Sequence, residues 1–278
     1  MQTYIPQVQA KLAYTNLPIL LSKMIPSVGI VIPCYNHEKY ILEAIQSVID
    51  QDYSSKLIIV VDDDSTDNSF DVVKNKIHIK SFFTDYEGCE VIVGTINSVP
   101  ILLIKQVKNK KQAAARNKAI QSSWNYCNFY CQLDADDKYL PQKLSKSIKV
   151  LLTDPINIGL VYCDVFIFND ETNSFVHEMR EPYSRTRLEQ EDIISNAPLI
   201  NKSVFIDVGL YDELMPPCED WDLWLRITEK YFAIHIPEPL QMYRVTGQSC
   251  TYTVPKEVWN QQWTKIQQKI YLSKNKIK

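Results

Sequence analysis

Glycine is scarce in this chain, with six in 278 residues, at positions 29, 88, 94, 159, 209 and 247. At those separations neither a GxGxxG dinucleotide turn nor a GxxxxGK phosphate loop can be written, which excludes two common nucleotide sites. The four histidines, at 37, 78, 177 and 235, never form HExxH, and no GxSxG occurs. The patterns of a zinc peptidase and of an α/β-hydrolase elbow are therefore absent. An excess of positive charge is also lacking: 30 basic side chains face 33 acidic ones, a net charge of −3. A protein that coats nucleic acid needs a basic face, so no nucleic-acid partner is expected. Long apolar runs are missing as well. The uncharged stretch 91–104 contains Thr95, Asn97 and Ser98 and falls short of the roughly 18 apolar residues that span a bilayer. Seven cysteines, an odd number, with no secretory leader pattern fit reduced, mostly buried thiols of a cytosolic protein. Cys127 and Cys131 are the closest pair, and no second ligand pair follows them as a zinc site would require.

What is present is a hydrophobic content of 45% arranged in an α/β pattern. Residues 28–32 form a nearly continuous apolar run closed by Pro33, as a buried parallel strand does. Ile41, Ala44, Ile45, Val48 and Ile49 then recur at helical spacing. Residues 57–61 form a second buried strand ending in Asp62, Asp63 and Asp64, and Ser65-Thr66 are expected to open a helix through Val73. Strands at 90–95 and 101–105 flank Asn97-Ser98 as a hairpin, and a helix is expected over 112–122. A central strand at 129–133 terminates in Asp134, Asp136 and Asp137, and Pro141 suits the first turn of the next helix. Further on, strands are expected near 159–168, 174–179, 233–236 and 240–244, with a helix near 219–230. Residues 255–278 carry six lysines against one glutamate, with Trp259, Trp263, Ile266, Ile270 and Tyr271 at helical spacing. That pattern reads as a terminal helix packed on the body, or one that touches a membrane surface or a partner.

Two of three acidic clusters follow the carboxyl ends of expected parallel strands, the edge where open α/β sheets bind ligands. The third, Glu219, Asp220 and Asp222, opens the late helix. Carboxylates gathered without matching cations repel, a cost that persists only if a cation binds or one of them holds a proton. Mg²⁺ or Mn²⁺ would resolve it, taking one or two carboxylates together with a diphosphate. In extended backbone Asp134 and Asp136, two apart, would leave on one side.

The segments 28–36, 44–51, 58–67, 113–117, 133–137 and 219–226 resemble, in order and spacing, the family 2 glycosyltransferases of the GT-A fold, a likeness covering roughly residues 27–250. It implies a Rossmann-like α/β fold with a mostly parallel central sheet, flanking helices and a smaller mixed acceptor-side region. It also implies a nucleotide-sugar-binding half (27–140) and an acceptor-binding half (141–254); outside it, the apolar residues and prolines of 1–26 read as an N-terminal arm, and 255–278 as a basic C-terminal helix. By this resemblance Pro33, Tyr35 and Asn36 belong to the nucleotide loop. Tyr35 would lay its ring on a pyrimidine, and Asp63 would accept from the uracil N3–H. Arg116 would approach phosphate or nucleotide, as Lys110 and Lys111 also could. Asp134 would face the ribose, and Asp136 would hold Mn²⁺ or Mg²⁺ on the diphosphate.

The same resemblance makes Asp220 the general base in an inverting transfer. The sugar would pass from a nucleoside diphosphate sugar, UDP-linked by preference, to a hydroxyl of a glycan or lipid-linked acceptor in polysaccharide biosynthesis. The protein would be cytoplasmic, with peripheral membrane contact through residues 255–278. Asp222 and Arg226, four apart, are expected to pair on the helix surface. The likeness departs at Asp64 and Lys111, where family members commonly carry glycine, and at Thr246, where many carry histidine. A threonine there leaves the ion held mainly through the nucleotide. The alternatives are a non-catalytic sugar-nucleotide or carbohydrate-binding module with a decayed site, and a nucleotidyltransferase.

Overall fold

The computed structural model describes residues 28–170, 172–246 and 253–275; the arm expected over 1–26 lies outside them. Strands β1 (Val28–Cys34) and β2 (Lys56–Asp62) are buried along their whole length, as strands covered on both faces must be. Helix α1 (Ile41–Ile49) connects them and buries Ile41, Ala44, Ile45 and Val48, the stripe that 3.6-residue periodicity requires. Helix α2 (Ser69–Lys74) starts later than the sequence suggests. Residues 65–68 stay in a loop because Asn36 Oδ1 accepts from the Thr66 N–H at 2.8 Å, while Asp67 Oδ1 accepts from the Ser69 N–H at 2.9 Å.

Strands β4 (Glu90–Ile96) and β5 (Val99–Lys105) form the expected hairpin. Asn97 and Ser98 both have positive φ, 46° and 69°, the backbone of a two-residue hairpin loop matched to strand twist. An edge strand, β3 (His78–Thr84), pairs antiparallel with β4. Half exposed and rich in polar residues, it carries no apolar run that sequence could register.

Strand β6 (Phe129–Gln132) runs parallel to β1, so β5-β2-β1-β6 is the parallel centre of the sheet. Beyond it lie β10 (Leu199–Asn201), antiparallel to both neighbours, then β8 (Ile158–Asn169), β11 (Phe232–Val245) and the short β7 (Lys138–Tyr139). Strand β9 (Ser174–Glu178) pairs with β8 off this path. The two short strands expected at 233–236 and 240–244 are one strand, β11, whose register shifts on either side of Pro239; a proline cannot donate to the ladder.

Helices α3 (Lys111–Ser123), α7 (Glu219–Ile227) and α8 (Lys256–Asn275) cover one face of the sheet, and α1, α2 and α4 (Lys143–Leu151) cover the other. Pro141 lies just outside α4 rather than in its first turn, because Gln142 takes a left-handed cap at φ 70°. The short helices α5 (Arg185–Leu188) and α6 (Lys202–Val208) complete the described elements. Cys127 packs into one core layer and Cys131 into the other, so the sheet itself keeps them from sharing a metal. Helix α8 packs on the body through Trp259, Ile266 and Ile270. Its lysines reach the body too: Lys269 bonds Asp212 at 2.7 Å and Asp222 at 2.6 Å, and Lys274 bonds Glu189 at 2.6 Å. Trp263 and Tyr271, counted in the expected stripe, are instead 49% and 69% exposed, since the packed face centres on Gln262, Ile266 and Ile270.

Candidate active site

The carboxyl ends of β1, β2 and β6 open into one cleft of about 880 Å³, walled on the far side by the start of α7 and the first turn of α8. Pro33, Tyr35, Asp63, Arg116, Asp134, Asp136 and Asp220 all line it. Clefts of this size at a parallel sheet edge are where α/β proteins hold ligands.

Tyr35 follows β1 and is 44% exposed, its ring available to stack. Asn36, expected in the nucleotide loop, is not among the cleft-lining residues. Its φ is 60°, and its amide oxygen serves the loop after β2 while its N–H donates to Ser65 Oγ at 3.0 Å. It braces one loop against the other, a local role that its place beside Tyr35 in sequence does not reveal.

Asp63 is buried beneath the loop that leads into α3. Its Oδ1 accepts from Gln106 Nε2 at 2.6 Å and from the Lys110 N–H at 2.8 Å, and its Oδ2 accepts from the Lys111 N–H at 2.7 Å. A carboxylate has about four lone-pair sites, so one remains for a ligand. Burial pushes this carboxyl up to about 6, against the pull of the two backbone N–H groups. Asp64 and Lys111, where the resemblance leads one to expect glycine, have φ of 63° and 74°. Both therefore hold the left-handed backbone that glycine would adopt without strain. Lys110 extends to Glu87 at 3.3 Å, while Lys111 lines the cleft.

Arg116 is completely buried and points along the floor of the cleft. Its Nη2 donates to Asp134 at 3.0 Å and its Nη1 to Glu219 at 2.8 Å, and the guanidinium lies over the Tyr211 ring. Burial works against the charge, but Asp134 and Glu219 more than offset it and the group stays cationic. Expected to approach phosphate or nucleotide, Arg116 lines the cleft and ties the strand-end acid to the start of α7. Asp134 is engaged on both oxygens: besides Arg116, Gln112 Nε2 donates to its Oδ1 at 3.0 Å and Asn196 Nδ2 to its Oδ2 at 3.1 Å.

Asp134 and Asp136 do not lie in extended backbone. The Asp137 N–H donates to the Asp134 carbonyl at 3.0 Å, and the resulting turn gives the two carboxylates different surroundings. Asp134 turns to Arg116, whereas Asp136 lies near His37 and Arg244. Burial raises the Asp136 carboxyl above the usual range, partly countered by His37. Among the described residues no other side chain hydrogen-bonds this carboxylate. Its backbone carbonyl accepts from Arg244 Nε at 2.8 Å, and Arg244 Nη2 reaches Glu43 at 2.9 Å.

Among the described residues no group of three or more His, Cys, Asp or Glu side chains is placed to hold a metal ion. The donor set fits a divalent cation that takes Asp136 and completes its shell with ligand phosphate oxygens and water, the usual habit of Mg²⁺.

Asp220 sits in the first turn of α7, where the helix N-terminus favours negative charge. Its Oδ1 accepts from the Trp221 N–H at 3.0 Å, and burial raises its carboxyl despite Arg116 nearby. The helix is fixed by Trp221 Nε1, which donates to the Leu188 carbonyl at 2.7 Å, and by the fully buried Trp224. Asp222 does pair with Arg226, at 2.9 Å, but it is buried under α8 rather than on the surface.

Sequence reasoning missed Asn196, Arg244 and Asp192. Asn196 links Asp134 to Asp137 with two 3.1 Å bonds, and Asp192 lines the cleft near Asp220. None sits in an acidic strand end or a periodic stripe, so nothing local marked them.

Residues 29–208 match the family model described as Glycosyl transferase family 2. The Escherichia coli protein named UDP-Glc:alpha-D-GlcNAc-diphosphoundecaprenol beta-1,3-glucosyltransferase WfgD is 29% identical over 242 residues, 85% of this chain and 83% of its own. Among solved structures, S. aureus TarS 1-349 in complex with UDP-GlcNAc superposes with a TM-score of 0.63 at 16% identity, over 83% of this chain and 62% of that one. The mannosyltransferase PcManGT from Pyrobaculum calidifontis, in complex with GDP-Man and Mn²⁺, superposes with a TM-score of 0.58 at 18% identity, over 82% of this chain and 61% of that one. This chain therefore spans less than two thirds of either solved chain. The shared architecture is the GT-A fold.

Proposed function

Because the chain belongs to glycosyl transferase family 2, we propose that it moves a sugar from a UDP-linked donor to a hydroxyl of a glycan or lipid-linked acceptor, inverting the anomeric centre. The observation that carries this reading is the joining of Tyr35, Asp63, Asp136 and Asp220 in one cleft at the carboxyl edge of the parallel strands. In it, the Tyr35 ring stacks on the uracil, and the remaining lone pair of Asp63 accepts from the base N3–H, a proton that cytosine lacks. The names of WfgD and of the TarS complex, both with UDP-linked sugars, favour uridine.

Asp220 removes the proton of the acceptor hydroxyl as that oxygen attacks the anomeric carbon, and the nucleoside diphosphate departs from the opposite face. A carboxyl raised by burial is a better base than an exposed one, which is what general-base work near neutral pH requires. Arg116 offsets part of the negative charge of Asp134 and Glu219, which lessens their repulsion of the donor diphosphate. Asp136 would hold a divalent cation against that diphosphate, as the Mn²⁺ in the PcManGT complex suggests. When bound, the cation would neutralise charge on the leaving group. Among the described residues no helix is long and apolar enough to cross a membrane. Contact with a lipid-linked acceptor would run through the exposed side of α8.

The test is incubation with a panel of UDP-, GDP- and dTDP-sugars and Mn²⁺, following release of the nucleoside diphosphate. Release from a UDP-sugar is expected. Absence of release from every donor would overturn the reading, and release of pyrophosphate from a nucleoside triphosphate would replace it with nucleotidyl transfer.

A further inference from the structure

Besides the residues named in the donor reading, the cleft is lined by others that it leaves unassigned. Among them the indole of Trp259 and the rings of Pro216 and Pro217 supply apolar surface, while Asp192 and Arg180 supply polar groups. Trp259 is half-buried and held from behind, since it packs on the core and Gln262, one turn on, donates to the Pro216 carbonyl at 3.0 Å. Gln267 donates to the Glu189 carbonyl at 2.9 Å and so fixes the helix against the loop that carries Asp192. Asp192 spends Oδ1 on the Ile194 N–H at 3.1 Å. Arg180 Nη1 pairs with Glu178 at 3.5 Å, while its Nε is buried with no hydrogen-bond partner. The donor reading uses none of these three.

A flat apolar plate beside a carboxylate and an unfilled N–H donor matches one chemistry well. A pyranose presents a face of C–H groups, which packs on an aromatic ring, and an edge of hydroxyls, which donate to carboxylates and accept from guanidinium. Resting on the function proposed above, we propose that Trp259, Asp192 and Arg180 form the acceptor subsite, with a saccharide ring stacked on the indole and one of its hydroxyls held by Asp192 beside the hydroxyl that Asp220 deprotonates. The C-terminal helix is then part of the site and not only a strap across the core. Asp192 is close enough to Asp220 for the two charges to oppose each other, so a ring spanning both would bring neighbouring hydroxyls to neighbouring carboxylates.

The experiment is saturation-transfer-difference NMR on the full chain with UDP and Mn²⁺, using the methyl β-glycosides of glucose, N-acetylglucosamine and galactose as saccharide probes. The wild type should transfer saturation to UDP and to ring protons of at least one glycoside. Trp259→Ala should weaken the glycoside signal at least about fivefold with the UDP signal retained, and Trp259→Phe should restore most of it. Asp192→Asn, which removes no packing, should weaken the same signal several-fold, guarding against a misfolded Trp259 variant. Equal glycoside signals in wild type, Trp259→Ala and Asp192→Asn would overturn the subsite, as would UDP binding with no glycoside signal in the wild type. Absence of the UDP signal itself would instead overturn the proposed function.

Discussion

Arg116 and Glu219 stand 103 positions apart in the chain and 2.8 Å apart in space, with the guanidinium completely buried. The same group holds Asp134 at 3.0 Å, so one cation joins the helix after the third acidic cluster to the strand end of the second. Removing one partner of a buried ion pair leaves uncompensated charge, which typically costs about 3–5 kcal/mol. Arg116→Ala is expected to lose stability on that order in urea unfolding, with Arg116→Lys intermediate because it cannot fork to both acids. A loss under about 1 kcal/mol would show that the bridge carries little.

Asp220→Asn keeps the size and the cap geometry of the side chain but cannot take a proton. Donor binding is expected to persist while transfer falls on the order of 10²-fold or more, the usual span of general-base catalysis. Single-turnover transfer at saturating donor checks it; wild-type rates would remove Asp220 from the chemistry.

Asp136→Ala deletes a cleft carboxylate that no other described side chain hydrogen-bonds. Calorimetric titration with UDP is expected to lose its manganese dependence, whereas Asp134→Ala should chiefly lower stability by leaving Arg116 half paired. An Asp136→Ala protein that binds UDP as before, with and without Mn²⁺, would rule this assignment out.

Asp63 provides a pH signature. Burial raises its carboxyl from 3.8 to about 6, so between those values the folded chain binds more protons than the unfolded one. Its contribution to stability is fully present below about pH 3.8, falls as pH rises through 6, and stays low above. Melting temperatures of wild type minus Asp63→Asn are therefore expected to decline from pH 4 to pH 7. A difference that grows over that interval would contradict the assignment.

Gly94 is a packing constraint rather than a turn. A Cβ at this position would lie 2.4 Å from both the His78 carbonyl oxygen and Ile77 Cγ2. Gly94→Ala must push β3 off β4 and is expected to cost about 1–3 kcal/mol, in line with overpacking elsewhere. Hydrogen exchange should localise the loss to residues 78–84 and 90–96.

The parallel centre of the sheet, the covering helices α1 and α3, the hairpin at Asn97-Ser98 and the acids at the ends of β2 and β6 were all legible in sequence. Each is written in a local code: an apolar run, a 3.6-residue stripe or a two-residue turn. From those alone, strand direction brings Asp63 and Asp136 to one edge, because parallel strands end on the same side.

Only the tertiary structure decided which groups those acids meet. Asp134 and Asp136 share a motif yet face different partners, since a tight turn rather than extended backbone joins them. Arg116 becomes a bridge, Asn36 a brace, and Asn196, Arg244 and Asp192 enter the site from segments with no periodicity to mark them. Trp259 reaches the cleft from the last helix, which Gln262 ties to the Pro216 carbonyl and which packs on the core. The physical reason is range. Propensity and hydrophobic pattern act over a few residues, while burial of a charge is tolerated only when its partner arrives from elsewhere in the chain, and that arrival is set by packing.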